Sequence, residues 1–104
     1  MIKATVLYPN EDGKFDMDYY LNTHIPFAEK LMKPYGLVKV KVDKGIAGSG
    51  PGEAAPYVAM AHMIFKTIED FQEGAKAHDA ELAEDVKNFT DLKPSFQISE
   101  MLKW

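Results

Sequence analysis

Residues 2–8 alternate, with Ile2, Ala4, Val6 and Tyr8 on one side and Lys3, Thr5 and Leu7 on the other. A period of two predicts a strand, and the turn cluster Pro9-Asn10-Glu11-Asp12-Gly13 ends it. The spacing then becomes helical. Tyr20, His24, Phe27 and Leu31 fall on one face of a helix that Asp16 would cap and Pro34-Tyr35-Gly36 would stop. Asp18 suits its first turn, where the dipole favours an anion. Residues 37–47 predict a second strand with Val38, Val40 and Val42 on one side. The glycine- and proline-rich stretch 45–56 predicts a mobile hairpin loop that could cover a pocket. Residues 57–66 predict a third strand with apolar groups on both faces. Thr67-Ile68-Glu69-Asp70 resembles a capping box and opens a helix carrying Ile68, Phe71 and Ala75. A further short helix is expected from Asp79, with Leu82, Ala83 and Val86, and a closing strand from Pro94 through Trp104.

The order β-α-β-β-α-β predicts the α+β class, as a ferredoxin-like sandwich whose two-helix layer covers one face of a four-stranded antiparallel sheet. Nothing interrupts this order, so residues 1–104 are expected to form a single domain. The opposite sheet face keeps many apolar groups, and an exposed face of that kind calls for a partner. A homodimer with its two sheets packed face to face satisfies it, because a twofold interface is self-complementary.

Composition narrows the classes of function. The chain is 46% apolar and 27% charged, ordinary for a globular protein, with a formal charge of −4. That balance argues against nucleic acid, whose binding rests on clustered cations. Lys39 and Lys41 share a strand face with Asp43 and read as a solvated surface. With no cysteine, disulfides and thiolate chemistry are out of reach. No apolar run is long enough for a membrane-spanning helix, and the opening residues lack signal-peptide anatomy, so the cytoplasm is the expected location.

The first helix carries the chemistry. His24 lies on its apolar face, where a buried imidazole needs a partner. Pro26 follows in mid-helix, which removes one helix bond and crowds the preceding turn. The proline should leave the carbonyl of Asn22 without its donor, opening a polar spot in an apolar wall. An imidazole can pass a proton in either direction near neutrality, so His24 is the leading acid–base candidate. Tyr20 shares its face and could donate to a substrate oxygen, whereas Tyr19 points toward the rim. His62 lies on a strand face with Val58, Met60 and Ile64; it could meet His24 if that face turns to the helices, or belong to the dimer interface if it turns to the partner, while His78 is expected at a helix break. The three histidines lack metal-ligand spacing, and Gly48-Ser49-Gly50-Pro51-Gly52 lacks the residues of a phosphate loop. Neither a metal nor a cofactor is therefore expected.

Phe15, Tyr19, Tyr20, His24 and Pro26, in the pattern F-x3-Y-Y-x3-H-x-P, resemble the EthD family, which is named for ethyl tert-butyl ether degradation. The element order and the turn Asn88-Phe89-Thr90-Asp91 extend the resemblance along the chain. It implies a dimeric α+β barrel with a pocket between helices and sheet in each subunit. Relatives in the wider superfamily include cofactor-independent monooxygenases, isomerases, cyclases and decarboxylases acting on small, often aromatic molecules. The motif histidine carries over to His24 and the aromatic positions to Phe15, Tyr19 and Tyr20, while Phe27 stands where a smaller aliphatic residue is expected. The resulting site expectation is His24 and Tyr20 as catalytic groups, with Phe15, Tyr19, Phe27 and His62 touching a small hydrophobic substrate. Three functions compete: a cofactor-free proton-transfer enzyme, a carrier for a partner oxygenase in ether or aromatic catabolism, and a pure interaction module.

Overall fold

A computed structural model describes residues 1–104. Its sheet contains β1 (Ile2–Pro9), β2 (Leu37–Lys44), β3 (Tyr57–Phe65) and β4 (Ser95–Glu100), in the order β2-β3-β1-β4. All three pairings are antiparallel, so the architecture is the ferredoxin-like α+β sandwich that the element order predicts.

Register decides which side chains meet. Ala4 lies between Met63 and Ile98, and Val6 between Ala61 and Phe96, while Val40 and Val42 continue those rows on β2. Successive residues point to opposite faces, so these side chains form the helix-covered face with Tyr8, Ala59 and Phe65. The other face carries Lys3, Thr5 and Leu7 on β1 and Val58, Met60, His62 and the buried Ile64 on β3. Its flanks are more polar, with Lys39, Lys41 and Asp43 on β2 and Ser95, Gln97 and Ser99 on β4.

The first helix runs from Met17 to Met32 in three registers: α1 (Met17–Tyr19), a π-helical turn (Tyr20–His24) and α2 (Ile25–Met32). Asp16 caps it as expected, accepting from the Tyr19 amide at 3.1 Å. The π turn absorbs the proline. The Ile25 amide reaches back five residues to the Tyr20 carbonyl, and Pro26 falls at the start of α2, where a missing N–H costs little. The expectation of a polar opening at Asn22 is thereby corrected: Asn22 is exposed to solvent and does not border the interior.

A short 3-10 turn (Lys33–Tyr35) follows, and Gly36 ends the helix with φ +80°. A Cβ there would run into the Asp70 carboxylate. Gly36→Ala should therefore lower stability by about 1–2 kcal/mol, the cost of a left-handed L-residue plus crowding, as read by chemical denaturation. An unchanged midpoint would show that the turn relaxes freely.

The second helix, α3 (Ile68–Val86), is capped by Thr67, whose hydroxyl accepts from the Asp70 amide at 3.1 Å. It is continuous, which corrects the two shorter helices expected from sequence. Phe71, Ala75, Leu82 and Val86 keep one helical stripe toward the sheet. His78 is therefore a mid-helix residue bonded to Glu81 at 2.8 Å, not a residue at a break. Buried Gly74 lets the two helices meet, because a Cβ there would press on Met32 Sδ at 2.7 Å.

Two strands are shorter than their apolar alternation suggested. β2 ends at Lys44, and β4 ends at Glu100, after which Leu102 stays exposed and Trp104 turns back toward the open sheet face, with Lys41 Nζ 6.0 Å from its ring. Alternation continues where strand pairing does not, since pairing requires a neighbour.

Candidate functional site

A cavity of about 390 Å³ lies between the helices and the sheet. Its walls come from both layers and are almost wholly apolar. Small residues create the space. Ala4 and Ala61 on the sheet face Ala28 and Ala75 on the helices, so the layers are held apart by larger neighbours without filling the gap. Phe96 and Ile98 border the cavity yet are 70% and 41% exposed, which sets its opening along the β4 edge.

His24 borders this cavity and is only 7% exposed. Its Nδ1 lies 2.8 Å from Oδ2 of Asp85, near the end of α3. Asp85 also accepts from the Tyr19 hydroxyl at 2.7 Å and the Asn88 amide at 3.0 Å. Burial alone would push the Asp85 carboxyl up. The hydrogen bonds from Tyr19, His24 and Asn88 outweigh it and hold the group below the usual carboxylate range. The hydrogen bond to this anion in turn raises the Tyr19 hydroxyl, which stays protonated and donating.

An ionised Asp85 accepts, so the imidazole carries its proton on Nδ1 and keeps a lone pair on Nε2. That is the tautomer a general base requires. An aromatic cluster fixes the ring, with Phe89 at 4.6 Å between centroids and Tyr20 nearly parallel at 6.0 Å. Phe89 is fully buried and also contacts Tyr8, Phe15, Tyr19 and Tyr20. Its loop is clamped to the first helix by the Asp16 amide donating to the Phe89 carbonyl at 2.7 Å and the Thr90 hydroxyl donating to the Lys14 carbonyl at 2.5 Å.

Two phenols complete the inner wall. The Tyr20 hydroxyl is buried with no hydrogen-bond partner on the protein, a condition that costs about 1–3 kcal/mol. Burial, and secondarily the Asp43 charge, pushes it far above the ordinary phenol range. Tyr8 is raised likewise by burial and then by its neighbour Tyr20. Both remain neutral donors.

Of the candidates read from sequence, His24 and Tyr20 lie together at the cavity. Phe15 stands behind it, packed on Tyr8 and Tyr20 at 5.2 and 5.1 Å. Tyr19 supports Asp85 instead of lining the wall. Phe27 is half-buried away from the cavity, because the stripe facing the sheet passes through Ala28. His62 is also corrected. It belongs to the open sheet face, where Nε2 lies 2.9 Å from Asp43 and Nδ1 lies 3.2 Å from the Thr5 hydroxyl, so it cannot meet His24. No residue of the 45–56 loop borders the cavity, so the loop is not its lid.

Sequence reasoning missed Asp85, Asn88, Phe89 and the cavity-lining role of Tyr8. One signal was present for Asp85. An acid in the last turn of a helix without a basic neighbour there sits against the dipole, and such a placement asks for a partner.

A family model described as the EthD domain matches residues 9–93. A crystal structure of an EthD-like protein from Ralstonia eutropha JMP134 is 35% identical, with a TM-score of 0.92, over 98% of this chain and 92% of that one. An ethyl tert-butyl ether degradation (EthD) family protein from Bacillus halodurans C-125 is 26% identical, with a TM-score of 0.75, over 98% and 99% of the two chains. A dimeric ferredoxin-like protein from an uncultured marine organism shares the fold at 10% identity and a TM-score of 0.55, over 99% and 95%. No curated protein matches in sequence.

Proposed function

The chain belongs to the EthD family, and from that premise we propose that it is an enzyme moving a proton on a small hydrophobic molecule held between helices and sheet. One observation carries this reading: an imidazole whose Nδ1 is tied to a half-buried carboxylate borders an apolar cavity. Nε2 of His24 takes or returns the proton. Asp85 fixes the tautomer and offsets the imidazolium charge. Tyr20 hydrogen-bonds to a substrate oxygen where negative charge develops. The low-dielectric wall strengthens each of these interactions. Isomerisation and cofactor-free oxygenation begin with such a transfer, whereas decarboxylation would need a carboxylate substrate for which this wall holds no cation; aromatic or ether-derived compounds fit the cavity. A cysteine-free chain suits the reducing cytoplasm.

The scarcity of polar groups in the wall favours a second reading, a carrier that shields an apolar intermediate for a partner oxygenase. His24→Ala separates the two. The enzyme reading expects turnover of the substrate found by mass spectrometry of co-purified molecules to fall by about a hundred- to ten-thousandfold, with the fold retained and affinity reduced by no more than about tenfold. A wild-type protein that binds that molecule without converting it leaves only the carrier.

The assembly proposed is a homodimer through the open sheet face, whose apolar centre and polar flanks are the pattern of an interface. The dimeric state of the ferredoxin-like relative supports it. Sedimentation should give a dimer at micromolar concentration. Met60→Glu, which puts a charge at the centre of that face, should give a folded monomer. A monomeric wild type would end this part of the reading.

A further inference from the structure

The cavity has a charge signature as well as a shape. No lysine or arginine lines it, and the one formally charged side chain on its wall is the carboxylate of Asp79, itself exposed to solvent. The imidazole offers no free cation either, because a protonated His24 is already balanced by Asp85 at 2.8 Å. An anionic ligand would shed its water with nothing to pair with and would pass an acidic group on the way in. Burying an unpaired charge is among the costliest moves in a protein interior. The site therefore selects against carboxylates and phosphates.

Beside the imidazole the wall offers one acceptor and, of its two phenol donors, one that is buried without a partner. The acceptor is Nε2 of His24, freed by the bond at Nδ1. The donor is the Tyr20 hydroxyl, buried beside the cavity and without a partner on the protein. A ketone or ether could answer only the donor. A hydroxyl group answers both, giving its proton to nitrogen while its oxygen accepts from the tyrosine. Aromatic side chains (Tyr8, Phe65, Phe71 and Phe96) make up much of the remaining wall, and their edges and faces suit another ring. The volume of about 390 Å³ lies in the range of small-molecule pockets.

We infer that the site recognises neutral, largely hydrocarbon phenols, with the phenolic O–H donating to His24 Nε2 and the phenolic oxygen accepting from Tyr20. The inference rests on the reading of this cavity as the ligand site and adds the class of ligand.

The test is calorimetric titration with α-naphthol, naphthalene and α-naphthoate, on wild type and on Tyr20→Phe. Removing an unpartnered hydroxyl should leave the fold at least as stable, so loss of structure is not the expected complication. α-Naphthol should bind about tenfold tighter than naphthalene, the worth of one to two hydrogen bonds, and α-naphthoate at least about tenfold weaker than α-naphthol. Tyr20→Phe should erase most of the advantage of naphthol over naphthalene while leaving naphthalene unchanged. Equal binding of naphthol and naphthalene, tight binding of naphthoate, or a preference untouched by Tyr20→Phe would overturn the phenol assignment while leaving the cavity a ligand site. Failure of all three probes to bind would overturn the assignment together with the ligand-site reading on which it rests.

Discussion

Asp85→Asn should lower proton-transfer turnover by about two to four orders of magnitude, the scale seen when a histidine loses the carboxylate that sets its tautomer. The reason lies in donor and acceptor roles. Asp85 can only accept, so Nδ1 of His24 holds the proton and Nε2 is free. An asparagine can present its amide to Nδ1, which moves the imidazole proton to Nε2, the nitrogen that should act as base. Asp85 is thus a positioning residue, and its loss has a signature that a packing defect does not. Imidazole nitrogen chemical shifts should report protonated Nδ1 in wild type and protonated Nε2 in the variant. An unchanged tautomer in Asp85→Asn would remove the mechanism assigned to the pair.

The same residue ties stability to acid. The carboxyl of Asp85 lies below its ordinary value of 3.8 in the folded chain. The unfolded state therefore binds the proton first as pH falls. The contribution is complete above the ordinary carboxylate range and is lost as pH drops through the lower, folded value. Asp85→Asn should accordingly flatten part of the acid limb of the stability curve and leave the neutral-to-alkaline side parallel to wild type.

Phe89→Ala is expected to be the most damaging single truncation, costing about 3–5 kcal/mol. Stabilities of domains this size lie near 5–15 kcal/mol, so the variant should melt far below wild type or fail to accumulate. Phe89 is completely buried and is the ring around which Tyr8, Phe15, Tyr19, Tyr20 and His24 are arranged. The loss is more than area. Removing the ring opens space beside His24 and slackens the loop that Thr90 and Asp16 clamp to the first helix. Phe89→Leu retains most of the volume and should fold at a cost of about 1–2 kcal/mol. Its imidazole should show broader resonances, since the flat surface that orients it is gone. A Phe89→Ala protein with a near-native melting temperature would mean that the cluster is not what holds this end of the molecule.

The open sheet face and the cavity follow from one economy of sequence. β3 is apolar on both sides because it is central, with Ala59, Ala61, Met63 and Phe65 toward the helices and Val58, Met60 and Ile64 away from them. Ala61 on the inner side helps leave the cavity open. Val58 and Met60, half-buried on the outer side, lie on the face where the proposed second subunit would pack, while Ile64 is already buried within the chain.

Local chemistry was legible along the chain. Periodicity gave all four strands and the helix from Met17, and the capping roles of Asp16 and Thr67 were readable because a cap acts within three or four residues. The motif around His24 pointed to what is now the cavity wall for a similar reason. A histidine on an apolar face followed by Pro26 is a local conflict, and the fold answers it locally with a π turn. The break expected at Asp79 did not form, because a capping signal yields when the stripe from Phe71 to Val86 gains more by staying against the sheet.

What tertiary structure alone decided is everything that depends on which distant residues meet. Asp85 lies 61 positions from His24, and no spacing rule links a carboxylate on one helix to an imidazole on another. Strand register put His62 on the far face with Asp43 and Thr5, although alternation left either face open. The hollow itself exists because alanines from two layers face each other across the interior, and an alanine in a sequence does not disclose what stands opposite. Short-range forces act between chain neighbours and leave their mark in the order of residues; packing acts between layers, and only the folded arrangement fixes it.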